Sequence, residues 1–556
     1  MRPTPALGSL AVLFAVAVGV GLLATPRPPE RRVKLAVLVV FDQMRGDYLE
    51  RWRPLFGPDG FARLQRDGAW FTHCHYPYGV TTTGPGHASM LTGACADVHG
   101  IVNNSWVEAR VEAYCAGDSR YHFVPGTKPA KAKNAGTPER LRSETVADVL
   151  KEVHGAKAKV FGLSLKDRSA ILPTGRRPDG AYWFEGGTFG TSTYYADRVH
   201  PWVERFNGSK FADQWKGKDW TRFRPDIDYT LWSGPDDVRG EGVGAAQGVT
   251  FPHPTTRDAK YYEAVVCSPF GNDLLLQLAK TCVSAERLGT RDAPDLLVVS
   301  FSSNDLIGHT WGPDSHEVLD VTLRSDALMA ELLAFLDAKV GKGRYLLGLT
   351  ADHGVCPLPE VSAASGVAPD AKRVKGTDLK ARIDKHLTEK FRSPKQADGK
   401  DSNWAESIIF PWVRLNQALI DLSGRTRAEI ATEAARCLTE EPKLNVMRTF
   451  TQAELAGTFP DSDVIANRMK RSFDPSRCGD LAVVLEPYSI PAGLAATHGA
   501  PFDYDTHVPL LVYGPGIRGG ERSEPTTPQA LASIFAKWLE VRRPKDAAFP
   551  VPATLE

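Results

Sequence analysis

"VKLAVLVVFDQMR", residues 33–45, is the stretch from which the fold can be read. From Leu35 to Phe41 every residue is apolar, and the run stops abruptly at Asp42. A strand with one wet face alternates apolar and polar residues. A strand buried on both faces does not, and such strands belong to parallel sheets covered by helices. The same form returns in "DLLVVSFSSND" (295–305), "RYLLGLTADHG" (344–354) and "VPLLVYGPG" (508–516), with "AKVFGLSLKDR" (158–168) as a fifth candidate. Between them lie stretches of helical period: "SETVADVLKEV" (143–153), "HEVLDVTLRSDALMAELLAFLDAKV" (316–340) and "TPQALASIFAKWLEV" (527–541). The last is expected to start at Thr527 as N-cap, with Pro528 in the first turn. This alternation predicts an α/β fold, a mostly parallel central sheet with helices on both faces. Ligands of such sheets bind outside the carboxyl ends of the strands. Asp42, Asp305, Asp352 and His353 each close an apolar run, so residues hundreds of positions apart are predicted to meet at one sheet edge.

The chain has 556 residues, 42% hydrophobic and 24% charged, which suits one large catalytic domain (33–556) with insertions. Residues 175–265, rich in Trp, Tyr and Gly, and 360–480, opening on a lysine-rich polar stretch, are read as insertions that cap or flank the site. "RGEGVGAAQG" (239–248) neither follows a strand nor opens a helix, so it is a mobile loop rather than a nucleotide fingerprint. A net charge of +1 implies no nucleic-acid partner. The apolar "ALGSLAVLFAVAVGVGLLA" (6–24), with Arg2 before it and "TPRPPERR" behind it, makes residues 1–32 an export signal or an uncleaved anchor. The protein is therefore expected in the periplasm or outside the cell, touching a membrane only if that segment is kept. The eight cysteines form no C-x-x-C pair, which argues against a thiolate zinc site, while their even number permits disulfides.

Asp305 and His309 lie at i, i+4, on one side of a helical turn. With Asp42, Asp352, His353 and His498 they make three aspartates and three histidines from four separated segments. Mixed imidazole and carboxylate donors favour zinc over magnesium or calcium. Six ligands exceed one tetrahedral ion and suit two ions about 4 Å apart, the spacing for in-line phosphoryl displacement. In "TTTGPGHASMLTG" (81–93) Pro85 fits the first turn of a helix, which places Thr83 at an N-terminus that favours anions. A threonine hydroxyl is a poor nucleophile at neutral pH, and coordination to zinc would lower its pKa and yield an alkoxide. Thr81, Thr82, Ser89 and Thr92 are read as structural. In "SLKDR" (164–168), Lys166 and Arg168 at i, i+2 can hold the oxygens of a phosphate dianion.

These segments, together with "HGIVNNSW" (99–106) and "THGAPFDYDTHVPLL" (497–511), resemble the alkaline phosphatase superfamily. The resemblance is strongest to its phosphate-irrepressible alkaline phosphatases, a branch near the nucleotide pyrophosphatase/phosphodiesterases. It implies one zinc on Asp305, His309 and His498. A second zinc would sit on Asp42, Asp352 and His353, with Thr83 as its remaining ligand. Thr83 would form a phosphothreonine. Asn104, rather than Asn103, would donate to a phosphate oxygen, and Lys166 and Arg168 would hold the transferred group. The family resemblance further implies small phosphate monoesters as substrates. Gly84 departs from the alanine expected after the nucleophile. His87 and His99 carry no metal role in the family, and no cysteine sits in the C-x-P-x-R segment that a sulfatase needs.

The expected protein is thus an exported two-zinc phosphomonoesterase, in which Lys166, Arg168, Asn104 and the backbone N–H groups after Thr83 hold the equatorial oxygens. A phosphodiesterase or nucleotide pyrophosphatase is the alternative, and a non-catalytic metal- or phosphate-binding protein a further one.

Overall fold

A computed structural model describes Met1 and residues 33–108, 110–125, 136–256, 258–393 and 402–555. The segment read as an export signal or anchor lies outside the described residues. Among those described, no helix is long and apolar enough to cross a membrane.

The apolar runs form the middle of a ten-stranded sheet. Five neighbouring strands are parallel, in the order Tyr345–Thr350, Leu35–Phe41, Asp295–Phe301, Val160–Ser164 and Gly180–Glu185. The first four are buried along their whole length, as continuous apolar sequence requires. The Leu510–Tyr513 strand joins the sheet antiparallel to Tyr345–Thr350, although its sequence has the same form as the parallel ones. Burial on both faces fixes the composition of a strand, not its direction.

Two groups of helices pack on this sheet. Pro269–Glu286 and His316–Leu336 form one; Thr83–Thr92, Val146–His154 and Ala530–Trp538 form the other. Gly162 and Gly348 share one register row with Val298 and Leu38. A Cβ on Gly162 would lie 2.2 Å from the Ala170 carbonyl, and one on Gly348 2.7 Å from Leu531. Those glycines let helices settle closely onto that face. The Val146–His154 helix opens with a capping box between Thr145 and Asp148. The last helix begins at Ala530 with Gln529 as N-cap, two residues later than its sequence suggested, because the Thr527 hydroxyl bonds the Gln529 side chain instead of a helix N–H.

The region 175–265 starts inside the sheet, contributing Gly180–Glu185 and Thr188–Ser192. Its aromatic residues then brace the His316–Leu336 helix: Trp220 Nε1 and Tyr229 Oη both donate to Asp320, at 2.7 Å. The 239–248 loop is anchored rather than loose, since Gly242 N donates to the Thr310 carbonyl and Trp311 Nε1 to that of Gly248. Region 360–480 supplies most of a second, antiparallel sheet, ordered Ala405–Ile409, Trp412–Leu415, Leu481–Leu485 and Val446–Thr451. Helices Gly376–Phe391 and Arg427–Thr439 share its core. All eight cysteines are buried free thiols, so the permitted disulfides do not form.

Candidate active site

Four adjacent parallel strands each deliver polar residues at their carboxyl ends. Asp42 follows Phe41, Lys166 follows Ser164 by two positions, and Asp352 and His353 follow Thr350. After Phe301 the chain turns into the Ser303–Trp311 helix, which presents Asp305 and, one turn on, His309. His498 arrives on the loop before the Asp503–Thr506 turn. The sheet edge therefore gathers all six residues read as metal ligands.

The three imidazoles are set by one device. His309 Nδ1 bonds the Ala496 carbonyl at 2.7 Å, His498 Nδ1 that of Thr81 at 2.8 Å, and His353 Nδ1 that of Gly354 at 2.9 Å. A carbonyl only accepts, so each Nδ1 carries the proton and each Nε2 presents a lone pair. Burial also lowers the pKa of His353, to about 3, which keeps it neutral as a metal ligand must be.

Among the described residues, two groups of side chains could hold a metal ion, Asp305 with His309 and His498, and Asp42 with Asp305 and His353, with Asp352 and Thr83 beside the second. In the first, His309 Nε2 and His498 Nε2 lie 3.1 and 3.5 Å from Asp305 Oδ1. In the second, His353 Nε2 lies 3.5 Å from Asp42 Oδ1, 3.3 Å from Asp352 Oδ2 and 3.4 Å from Thr83 Oγ1. Around a tetrahedral zinc with bonds of 2.0–2.1 Å, neighbouring donors stand about 3.3 Å apart. Among the described residues, the buried Asp42 Oδ1 and Asp352 Oδ2 have no hydrogen-bond partner. Burial and the charge of Asp352 push the Asp42 carboxyl well above its ordinary range, against the pull of Lys166. Burial acts upward on Asp305 too, but His309 and Lys166 outweigh it and hold that carboxyl well below its usual value. Donor types, spacing and orphaned oxygens all fit divalent metal ions.

Thr83 is the first residue of the Thr83–Thr92 helix, buried beneath Arg168, whose Nη2 is 3.4 Å from the threonine hydroxyl. Gly86 lets this helix lie against the Asp352 segment: a Cβ there would sit 2.3 Å from the Asp352 carbonyl. Asn104 Oδ1 accepts the Gly84 N–H at 2.7 Å, which turns its amide nitrogen into the free donor end. Asn103 is engaged by Thr82, the Asn104 backbone N–H and the Phe410 carbonyl. Gly84 itself is close-packed, since a Cβ would lie 3.1 Å from Cys115 Sγ and 3.2 Å from Asn104 Oδ1.

The expected backbone cradle does not form. Asn104 takes the Gly84 N–H, Pro85 has none, and the Gly86 N–H closes on the Thr82 carbonyl. The first N–H groups after Thr83 are thus taken within the chain. The other hydroxyls are structural. Thr81 bonds the Ala500 carbonyl and Asp505, Ser89 bonds His99, and Thr92 caps back onto Ala88. His87 bridges the Thr83 carbonyl and Ser300.

Lys166 and Arg168 diverge. Lys166 Nζ bonds Asp42 Oδ2 at 2.6 Å and Asp305 Oδ2 at 2.5 Å, one carboxylate from each donor cluster. Arg168 lies over Thr83 and rests on Tyr114, whose hydroxyl accepts from Nη1 at 3.2 Å and donates to Asp167 at 2.5 Å. The Arg168 Nε is buried without a partner among the described residues. Three residues near the reacting groups were not singled out in the sequence. Tyr114 stands on a short hairpin, Gln43 bonds Asp305, and Asp505 holds the His498 loop by accepting from Gly499 N and Ala500 N. None carries a motif of its own.

The sequence pattern of the family "type I phosphodiesterase / nucleotide pyrophosphatase" matches residues 36–491. The chain is 34% identical over 543 residues to the alkaline phosphatase PafA of Elizabethkingia meningoseptica, covering 94% of each chain. It is 30% identical over 521 residues to the alkaline phosphatase PhoV of Synechococcus elongatus, covering 92% of this chain and 91% of that one. The crystal structure of PafA superposes with a TM-score of 0.85 at 32% identity, over 95% of this chain and 99% of that one. A second PafA structure is a variant replaced at a threonine, an asparagine, a lysine and an arginine. Those four are spaced along its chain at the intervals that separate Thr83, Asn104, Lys166 and Arg168 here.

Proposed function

This chain belongs to the type I phosphodiesterase/nucleotide pyrophosphatase family, and from that premise we propose that it is an exported phosphomonoesterase of the alkaline phosphatase kind, working with two zinc ions through Thr83. The observation that carries the reading is the second donor cluster. His353 Nε2 stands at tetrahedral-edge distance from two orphaned carboxylate oxygens and from one hydroxyl. A metal site that includes a threonine hydroxyl has a nucleophile built into it.

Asp305, His309 and His498 would hold one zinc, and Asp42, Asp352 and His353 the other. Bound zinc supplies charge that lowers the pKa of the Thr83 hydroxyl and stabilises oxygens of the phosphoryl group. The chain does the rest. The Thr83 oxygen attacks phosphorus and the ester oxygen departs, leaving a phosphothreonine that water then hydrolyses. Arg168, seated over the hydroxyl by Tyr114, orients the group being transferred. The Asn104 amide donates to a second oxygen, its direction set by the Gly84 N–H. Lys166 reaches the same space from the carboxylates between which it lies. Such sites act by positioning and electrostatics.

The Lys166/Arg168 pair favours monoesters. Two fixed cations match the dianion of a monoester, whereas a diester carries one charge and a second substituent. The names of PafA and PhoV as alkaline phosphatases support this choice within the family. Small phosphate monoesters are the substrates of this reading. The test compares an aryl phosphate monoester with the matching diester, using zinc-loaded protein and the Lys166→Ala/Arg168→Ala variant. A monoester preference that collapses in the variant supports the proposal. A diester preference indifferent to both changes moves the protein to the phosphodiesterase reading.

A further inference from the structure

We propose that Gln43 is a positioning residue that ties the two donor clusters together and sets their metal affinity, an assignment that rests on the two-zinc reading above. Gln43 follows Asp42 at the end of the central strand and is buried. Its side-chain Nε2 donates to Asp305 Oδ1 at 2.7 Å, the oxygen nearest His309 and His498. Its backbone N–H donates to Asp352 Oδ1 at 3.1 Å, leaving Oδ2 to face His353. One residue thus orients a carboxylate in each cluster while its neighbour Asp42 supplies a third.

The arrangement has a conformational cost. Gln43 holds a φ of +69°, in the left-handed region that a side chain other than glycine or asparagine adopts unwillingly. It also needs a notch in the facing helix. A Cβ at Gly308 would lie 1.9 Å from Gln43 Oε1, so the glycine between Asp305 and His309 makes room for the amide. A strained residue and a helix glycine that serve one hydrogen bond to a ligating carboxylate point to a positioning role. Such supporting donors alter metal affinity by about 10–100-fold.

The experiment measures zinc affinity by competition with a chromophoric chelator, beside kcat on an aryl phosphate and inhibition by inorganic phosphate at saturating zinc. In Gln43→Ala, one of the two zinc ions is expected to bind about 10–100-fold more weakly. kcat should fall, with phosphate inhibition unchanged. Gly308→Ala, which expels the amide without altering Gln43, should reproduce that loss. The double variant should lose no more than either single one, because both remove the same bond. Gln43→Gly relieves the backbone and keeps its N–H, so its melting temperature should be at least that of Gln43→Ala while the weak zinc persists. Wild-type zinc affinity in Gln43→Ala, or recovery in Gln43→Gly, overturns the proposal. A wild-type protein that takes up no zinc overturns the two-zinc reading instead.

Discussion

The two halves of the site are held in different ways. On the proposed metal side, three imidazoles are locked by the backbone carbonyls of Thr81, Gly354 and Ala496. On the proposed anion side only Asn104 rests on a backbone group, the Gly84 N–H, whereas Arg168 and Lys166 rest on side chains, Tyr114 and the carboxylates of Asp42 and Asp305. Metal ligands must be in place before anything binds, and a backbone bond survives most substitutions around it. In the proposed reaction the anion side exchanges partners as the phosphoryl group arrives and leaves, and side chains exchange more easily than carbonyls. The difference predicts that damage to one half spares the other.

The largest effect tests that separation. Thr83→Ala should reduce kcat by about 10⁴-fold or more, because the Thr83 hydroxyl is the nucleophile of the proposed reaction, set against His353. Inorganic phosphate should still inhibit the loaded variant. Loss of phosphate binding together with turnover would show that Thr83 supports the anion half as well as the chemistry. His309→Ala, on the other half, should release zinc from the Asp305–His498 cluster, and atomic absorption should find close to one metal per chain. If both ions leave together, the clusters are one cooperative unit, and the comparison fails at its first step.

Lys166 is the residue that belongs to both halves, so it sharpens the contrast. Its ammonium takes the Oδ2 atoms of Asp42 and Asp305, the carboxylates whose Oδ1 atoms face the histidines. Lys166→Met removes a competing charge from the metal half and a donor from the anion half. Zinc affinity is therefore expected to hold or rise, while phosphate inhibition weakens roughly 10–100-fold, the worth of a charge-assisted hydrogen bond. Opposite signs in one variant are hard to obtain from a misfolded protein. A fall in both would mean that Lys166 merely supports the sheet edge.

How far the sequence discloses this site follows from the same division. Asp42, Asp305, Asp352 and His353 were legible because continuous apolar strands end where polar residues begin, and in a parallel sheet those ends coincide. The backbone cradle after Thr83 was misread because a helix N-terminus in sequence says nothing of who takes its N–H groups; Asn104 and Thr82 do. Gln43 and Tyr114 have no signature, since their roles depend on a left-handed φ and on a hairpin crossing over Arg168. The direction of Leu510–Tyr513 was equally unreadable, because burial on both faces leaves the same residues on a parallel and an antiparallel strand.

The smallest expected effect concerns the loop that carries His498. Asp505 is buried and accepts from Gly499 N at 2.8 Å and Ala500 N at 2.7 Å, which fixes the segment carrying His498. Burial raises its carboxyl to about 8, against the pull of those same N–H groups. An unfolded aspartate titrates near 3.9. The folded state therefore binds a proton that the unfolded state releases, and the stability gained is complete below the unfolded value. It is lost as the pH rises through about 8. Asp505→Asn removes the titration while keeping one acceptor. Its melting temperature should change less between pH 6.5 and pH 9.5 than that of the wild-type protein, both measured with zinc present. An identical pH response in both proteins would mean that the two loop N–H groups stabilise the carboxylate enough to cancel its burial. The loop would then belong wholly to the metal half, as rigid at alkaline pH as the imidazole it carries.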